Sequence, residues 1–100
     1  MNGKIDGVIE AVRTRNGQIL LARTYERRGA AFSDRIMLDR KSLVERLRAG
    51  KVFVVGERVV LQGGTFIFGA KVNLVERDGQ AWISTHPHAS RDEIESAPVF

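Results

Sequence analysis

The sequence predicts an α+β domain of about six antiparallel strands, paired as three hairpins, with one main helix at about 39–49. Three observations predict it. Two turn dipeptides, Asn16-Gly17 and Asp78-Gly79, each sit between β-like runs. One stretch, Asp39 to Gly50, carries helical spacing between a capping residue and a glycine stop. The other apolar segments are short and rich in Val, Ile and Phe, which suit a pleated surface. The sheet is expected to stay open or to close partly into a barrel. A single domain is expected over residues 1–100, with a short acidic tail at 87–100, because no repeat or linker-like stretch divides the chain.

The first hairpin joins Ile5–Thr14 to Gln18–Tyr25. Asn-Gly tolerates the positive φ angles of a type I′ turn, whose twist matches that of the strands. A two-residue loop then sets Val12 opposite Leu21, Val8 opposite Tyr25 and Glu10 opposite Arg23. The last pair would be a cross-strand ion pair. Arg35 to Leu38 reads either as a helix start capped by Ser33 or Asp34, or as a short strand. The main helix follows. Asp39 can accept from its orphan backbone donors, and Leu43, Val44 and Leu47 form one apolar stripe. Arg46 and Arg48 suit the negative end of the dipole, and Gly50 suits the left-handed stop.

Lys51–Val55 and Arg58–Gln62 are apolar on both faces and read as central strands. A type II′ turn at Gly56-Glu57 would join them, and Gly63-Gly64 then breaks the chain. The strand Phe66–Arg77 pairs with Gln80–His86 through Asp78-Gly79. Its register sets Val72 opposite Thr85, Leu74 opposite Ile83 and Val75 opposite Trp82. Period two places Phe66, Phe68, Ala70, Val72 and Leu74 on one face, the expected core face. Gly69 inside this strand signals a bulge or a close backbone approach. Pro87 ends the last strand. Ser90 and Glu93 have capping-box spacing, which predicts a short helical turn over 91–96 before Pro98.

The chain is 43% hydrophobic and 28% charged, which excludes a disordered polymer. It has no cysteine, so disulfides, thiolate metal sites and a cysteine nucleophile are excluded. No segment approaches the roughly 20 apolar residues of a membrane span, and no signal-peptide pattern opens the chain. A cytoplasmic protein with no membrane partner is therefore expected. The net charge of +4 is uneven. Residues 1–50 hold eleven Lys+Arg and six Asp+Glu, net +5, whereas residues 51–100 hold five and six, net −1.

The chemical motifs are sparse. Gly64 and Gly69 have phosphate-loop spacing, but Lys71 falls one place late and no Ser or Thr follows it. That stretch reads as strand. His86 and His88 would point to one side of an extended chain and could hold a metal ion with Asp92 or Glu93. The plainer reading is a solvated strand end. No serine sits in a nucleophile elbow, and Asp92, Glu93 and Glu95 lie in a polar tail, where water keeps carboxylates from acting as acids. Binding is expected rather than catalysis, with no cofactor.

The best functional signal lies between Arg23 and Arg48. Arg23, Arg27, Arg28 and Arg35 are candidate anion contacts, interleaved with Tyr25 and Phe32 as stacking groups. They point to a non-catalytic module whose basic loop and helix surface takes nucleic acid or another polyanion. The acidic tail could also fold back over this segment. The rival reading is a homo-oligomerising or protein-docking domain, because the apolar runs at 52–55 and 59–61 could need a second copy to cover them. A third is a small enzyme or metal-binding protein with its site at His86 and His88.

Overall fold

A computed structural model of the chain describes residues 5–59, 66–94 and 97–100. In chain order the elements are β1 (Gly7–Arg15), β2 (Gln18–Arg28), β3 (Ala31–Phe32), β4 (Ile36–Asp39), α1 (Arg40–Arg48), β5 (Phe53–Arg58), β6 (Phe66–Arg77) and β7 (Gln80–Ser84). Among the described residues the fold is α+β, with one helix and a seven-stranded mixed sheet. The strand order is β3-β2-β1-β5-β6-β7, and β4 also pairs with β2. All these pairings are antiparallel except β1 with β5, which run parallel. A parallel neighbour needs a long crossover, and β2 to α1 supply it. Among the described residues, no helix is long and apolar enough to cross a membrane.

Both expected type I′ turns form. Asn16 and Gly17 have φ of 53° and 76°, and Asp78 and Gly79 have 50° and 76°. The second hairpin keeps the expected register, with Leu74 opposite Ile83 and Val75 opposite Trp82. The first does not keep it throughout. Its register shifts between Arg13 and Thr14 and again between Ile9 and Ala11. Leu20 is the extra residue on β2, and Glu10 the extra residue on β1. Val12 therefore pairs with Ala22 rather than Leu21, and Ala11 rather than Glu10 pairs with Arg23. The two bulges cancel, so Val8 still meets Tyr25.

The helix follows the reading of its caps. The Asp39 side chain accepts from the Ser42 amide, with 2.8 Å between Oδ1 and N. At the other end, Gly50 donates to Leu47 and Lys51 donates to Arg46, the paired bonds of a Schellman stop. Just before α1, Ile36–Asp39 is strand, not a longer helix, because it pairs with Leu21–Thr24.

Two apolar clusters cover the two faces of the sheet. Leu43 and Val44 of α1 pack with Ile9, Val12, Ala22, Phe53, Val55, Val72 and Ile83. On the opposite face Val8, Tyr25 and Val54 pack with Ile5, Phe32 and Phe66. Phe53, Val54 and Val55 are thus buried on both sides within one chain, as a central strand requires. The rival reading held that a second copy could cover one face of this run. Of its other half, Val60 and Leu61 lie outside the described residues.

Three expectations are corrected. No turn forms at Gly56-Glu57, because β5 runs on to Arg58 and pairs with β6 through Gly56–Phe68, Glu57–Ile67 and Arg58–Phe66. Gly56 serves close packing instead. A Cβ there would lie 2.6 Å from the Ile67 carbonyl oxygen and 2.9 Å from Val8. Second, Phe66 to Leu74 do not share one face. The β5–β6 register shifts where Val55 faces Gly69 and Ala70, so the alternation inverts there. Phe66 joins the cluster opposite the helix, Phe68 is 46% exposed, and Val72 and Leu74 join the helix-side cluster. Third, no helical turn forms in the tail over 91–94, where Glu93 instead bridges Ser84; the rest of the expected turn, 95–96, lies outside the described residues.

That tail runs instead along the sheet. Glu93 bridges Ser84 at the edge of β7, and Val99 bridges Val12 of β1 in parallel fashion. Val12 donates to the Pro98 carbonyl and Phe100 donates to the Val12 carbonyl. The Asp92 side chain, expected in solvent, is only 1% exposed. It accepts from the amides of Ile19 and Ile83 and pairs with Arg40. Of the basic segment, the tail thus meets Arg40 through Asp92 and Arg23 through Phe100.

Candidate nucleic-acid interface

Strand alternation decides where each cation goes. On β2, Ala22 and Thr24 face the helix side, so Arg23, Tyr25 and Arg27 face the other way. Arg28 falls on the alternate side and is exposed. Arg35 precedes β4 and reaches the helix-free face through Tyr25, whose Oη lies 3.3 Å from its Nε. The expected site residues therefore split: Arg23, Tyr25, Arg27, Phe32 and Arg35 gather on one face, and Arg28 does not join them.

The helix does not share this face, and its arginines are already engaged. Arg40 pairs with Asp92, Arg46 with Glu26 at 2.6 Å, and Arg48 with Glu76 at 2.7 Å. The basic segment is thus not one continuous patch. Its helical half is neutralised by carboxylates from β2, β6 and the tail.

On the helix-free face the arginines lie against rings. The Arg27 guanidinium carbon is 4.7 Å from the centroid of Phe32, and its Nε donates to the Ile5 carbonyl. Phe32 packs on Phe66 at 4.9 Å, and Phe66 stacks with Phe68 at 6.1 Å with only 8° between planes. Arg23 and Arg13 lie 4.3 and 4.9 Å from the Phe100 ring. Such stacking orients a guanidinium while leaving its edge free to donate to an anion.

Tyr25 needs correction as a stacking group. It is 1% exposed, with its ring edge-on to Phe66 at 5.0 Å. It is a platform beneath the face, and its hydroxyl links Glu10 and Arg35. That hydroxyl donates to Glu10 Oε2 over 3.3 Å. Glu10 lies on the helix-free face with Val8, and the bulge takes it out of register with Arg23, so its carboxylate meets Arg35 instead. Arg35 Nε lies 3.0 Å from Glu10 Oε1. That oxygen accepts no hydrogen bond, so the contact is electrostatic. The Tyr25 hydroxyl, followed by the Glu10 charge, raises the Arg35 pKa above its ordinary value. Arg35 is fixed as a cation, but one already facing an anion.

Two depressions flank these groups. One of about 290 Å³ is lined by Ala30, Ala31, Phe32, Asp34, Arg58 and Phe66. The other, about 440 Å³, opens where β5 diverges from β1, between Glu10, Arg58, Phe68 and Pro98. Sequence reasoning missed Arg13, Arg58, Phe66, Phe68 and Phe100 as members of this face. The Phe66–Phe68 alternation was visible, but it signalled core until the bulge at Gly69 was known.

His86 and His88 lie in an exposed turn after β7, and Asp92 is committed to Arg40 and two amides. Among the described residues, no three His, Asp or Glu side chains cluster as a metal site would require. No family model matches the chain, and no curated protein or solved structure is similar to it.

Proposed function

We propose that the chain is a non-catalytic binding module that takes single-stranded nucleic acid on the helix-free face of its sheet. The observation that carries this reading is the row of guanidiniums stacked on rings: Arg13 and Arg23 at Phe100, and Arg27 at Phe32. Oriented guanidiniums donate to phosphate oxygens, and the exposed Phe68 ring, stacked on Phe66, offers a π-face to an unpaired base. The polyanion surface is thus assigned to the sheet rather than to the loop and helix.

The test compares two adjacent arginines. Anisotropy titration of a fluorescein-labelled oligouridylate at low salt should show binding by the unaltered chain. Arg27→Ala should weaken it and lower the salt slope by about 0.7, the share of one phosphate contact on a single strand. Arg28→Ala, on the alternate side of β2, should change affinity less. Equal effects from both would leave only diffuse charge and contradict a defined face.

The self-association reading retains one favouring observation. Ile67 and Phe68 are 58% and 46% exposed, on a part of β6 that β7 does not reach. Apolar strand edges of this kind can pair with a second copy. Light scattering at high micromolar concentration checks it, and a monomer there removes it.

A further inference from the structure

Phe100 occupies a position that its own backbone does not require. Its amide donates to the Val12 carbonyl, which places the tail beside β1 on the side away from β2. Yet its ring lies 4.3 Å from the guanidinium carbon of Arg23, a residue of β2. The ring must therefore lie across β1 on the helix-free face. Arg13, two places along β1 from the partner of Arg23, meets the same ring at 4.9 Å. Arg13 Nε also donates to the Phe100 carbonyl at 3.2 Å. Two cations from adjacent strands thus hold one flat ring and one oxygen acceptor.

A flat ring with an acceptor beside it is also what a nucleotide presents. A base offers the π-face, and its phosphate or carbonyl oxygen offers the acceptor. Glu10, an acid on this face, is directed to Arg35 rather than to these two arginines. The tail that brings Phe100 is lightly held at this end. Val99 is 69% exposed, and two backbone bonds, both to Val12, join Pro98 and Phe100 to the sheet.

We propose that Arg13 and Arg23 form a nucleobase-stacking subsite, and that Phe100 fills it as an internal stand-in that a bound strand displaces. This rests on the nucleic-acid reading above and adds regulation to it. Binding at the subsite requires the tail to open, so the apparent affinity is reduced by the fraction of molecules in which it is closed.

The experiment is the oligouridylate titration on the full chain with Phe100→Ala and Phe100→Trp, each checked for an unchanged cooperative unfolding transition. Phe100→Ala should bind tighter, by about three- to tenfold, because two contacts of cation–π size hold the ring in place. Phe100→Trp, a better partner for guanidinium, should bind more weakly than the unaltered chain. If the unaltered chain binds and Phe100→Ala binds equally or less well, the stand-in idea is overturned and the nucleic-acid reading survives. If none of the three binds at low salt, both are overturned.

Discussion

Arg40 Nη2 lies 3.0 Å from Asp92 Oδ1, and Arg40 Nε lies 3.1 Å from Asp92 Oδ2. This two-point ion pair ties the first residue of α1 to the tail. The same carboxylate accepts from the Ile19 amide of β2 at 2.8 Å and the Ile83 amide of β7 at 2.9 Å. Arg40 also donates to the Ala81 carbonyl at 2.7 Å. One buried acid therefore joins the helix, both hairpins and the tail. Removing one partner of such a pair leaves the other desolvated and unpaired, which costs about 3–5 kcal/mol. Asp92→Ala should lose stability on that scale in urea unfolding, a large share of the roughly 5–15 kcal/mol a small domain has. A loss below about 1 kcal/mol, the range of surface pairs, would contradict the role given to Asp92.

Gly56→Ala tests the reading of that glycine as a close approach. The added Cβ would press on the Ile67 carbonyl at 2.6 Å, and backbone cannot swing away as a side chain can. Overpacking of this kind costs roughly 1–3 kcal/mol. The midpoint of thermal unfolding should fall. An unchanged or raised midpoint would show that β5 and β6 are not held this close.

Asp39 gives a pH-dependent prediction. Its hydrogen bond from the Ser42 amide holds its carboxyl below the ordinary value of 3.8. A folded-state pKa below the unfolded one means the carboxylate stabilises the fold above the unfolded value. That contribution is lost as pH falls through the folded value. Asp39→Asn keeps an acceptor but not the charge. It should melt below the unaltered chain at neutral pH, and the two midpoints should converge in acid. A gap that stays constant with pH would contradict the assignment.

Glu10→Gln probes the charge balance of the helix-free face. The carboxylate now faces Arg35 and accepts from Tyr25. An amide can still accept from the tyrosine while leaving Arg35 uncompensated. Oligouridylate affinity should rise and its salt slope should steepen by about 0.7, the share of one further phosphate contact. Unchanged affinity would place Arg35 outside the interface.

Much of this architecture is local chemistry and was legible. Asn16-Gly17 and Asp78-Gly79 make the turns their dihedral preferences dictate, and Asp39 and Gly50 bound the helix. Where reading failed, the cause was a neighbour distant in sequence. A glycine inside an apolar run signals a turn and a close approach equally, and only the Ile67 carbonyl decides for Gly56. Period-two alternation holds until a bulge inverts it, so Phe68 and Val72 part company at Gly69 and Ala70. Asp92 sits in a polar segment, and its burial depends on Arg40, Ile19 and Ile83 converging from three elements. The site shows the same division. Arg23, Arg27, Phe32 and Arg35 stood out by composition, whereas Arg13 and Phe100 join them only through register and the path of the tail.

The most direct measurement is a nuclear magnetic resonance titration of the labelled chain with the oligouridylate, following arginine Nε–H and phenylalanine ring signals. The account predicts shifts at Arg13, Arg23, Arg27, Phe32 and Phe100, with Arg40, Arg46 and Arg48 unmoved. Shifts confined to the arginines of α1, or no shifts at low salt, would contradict it.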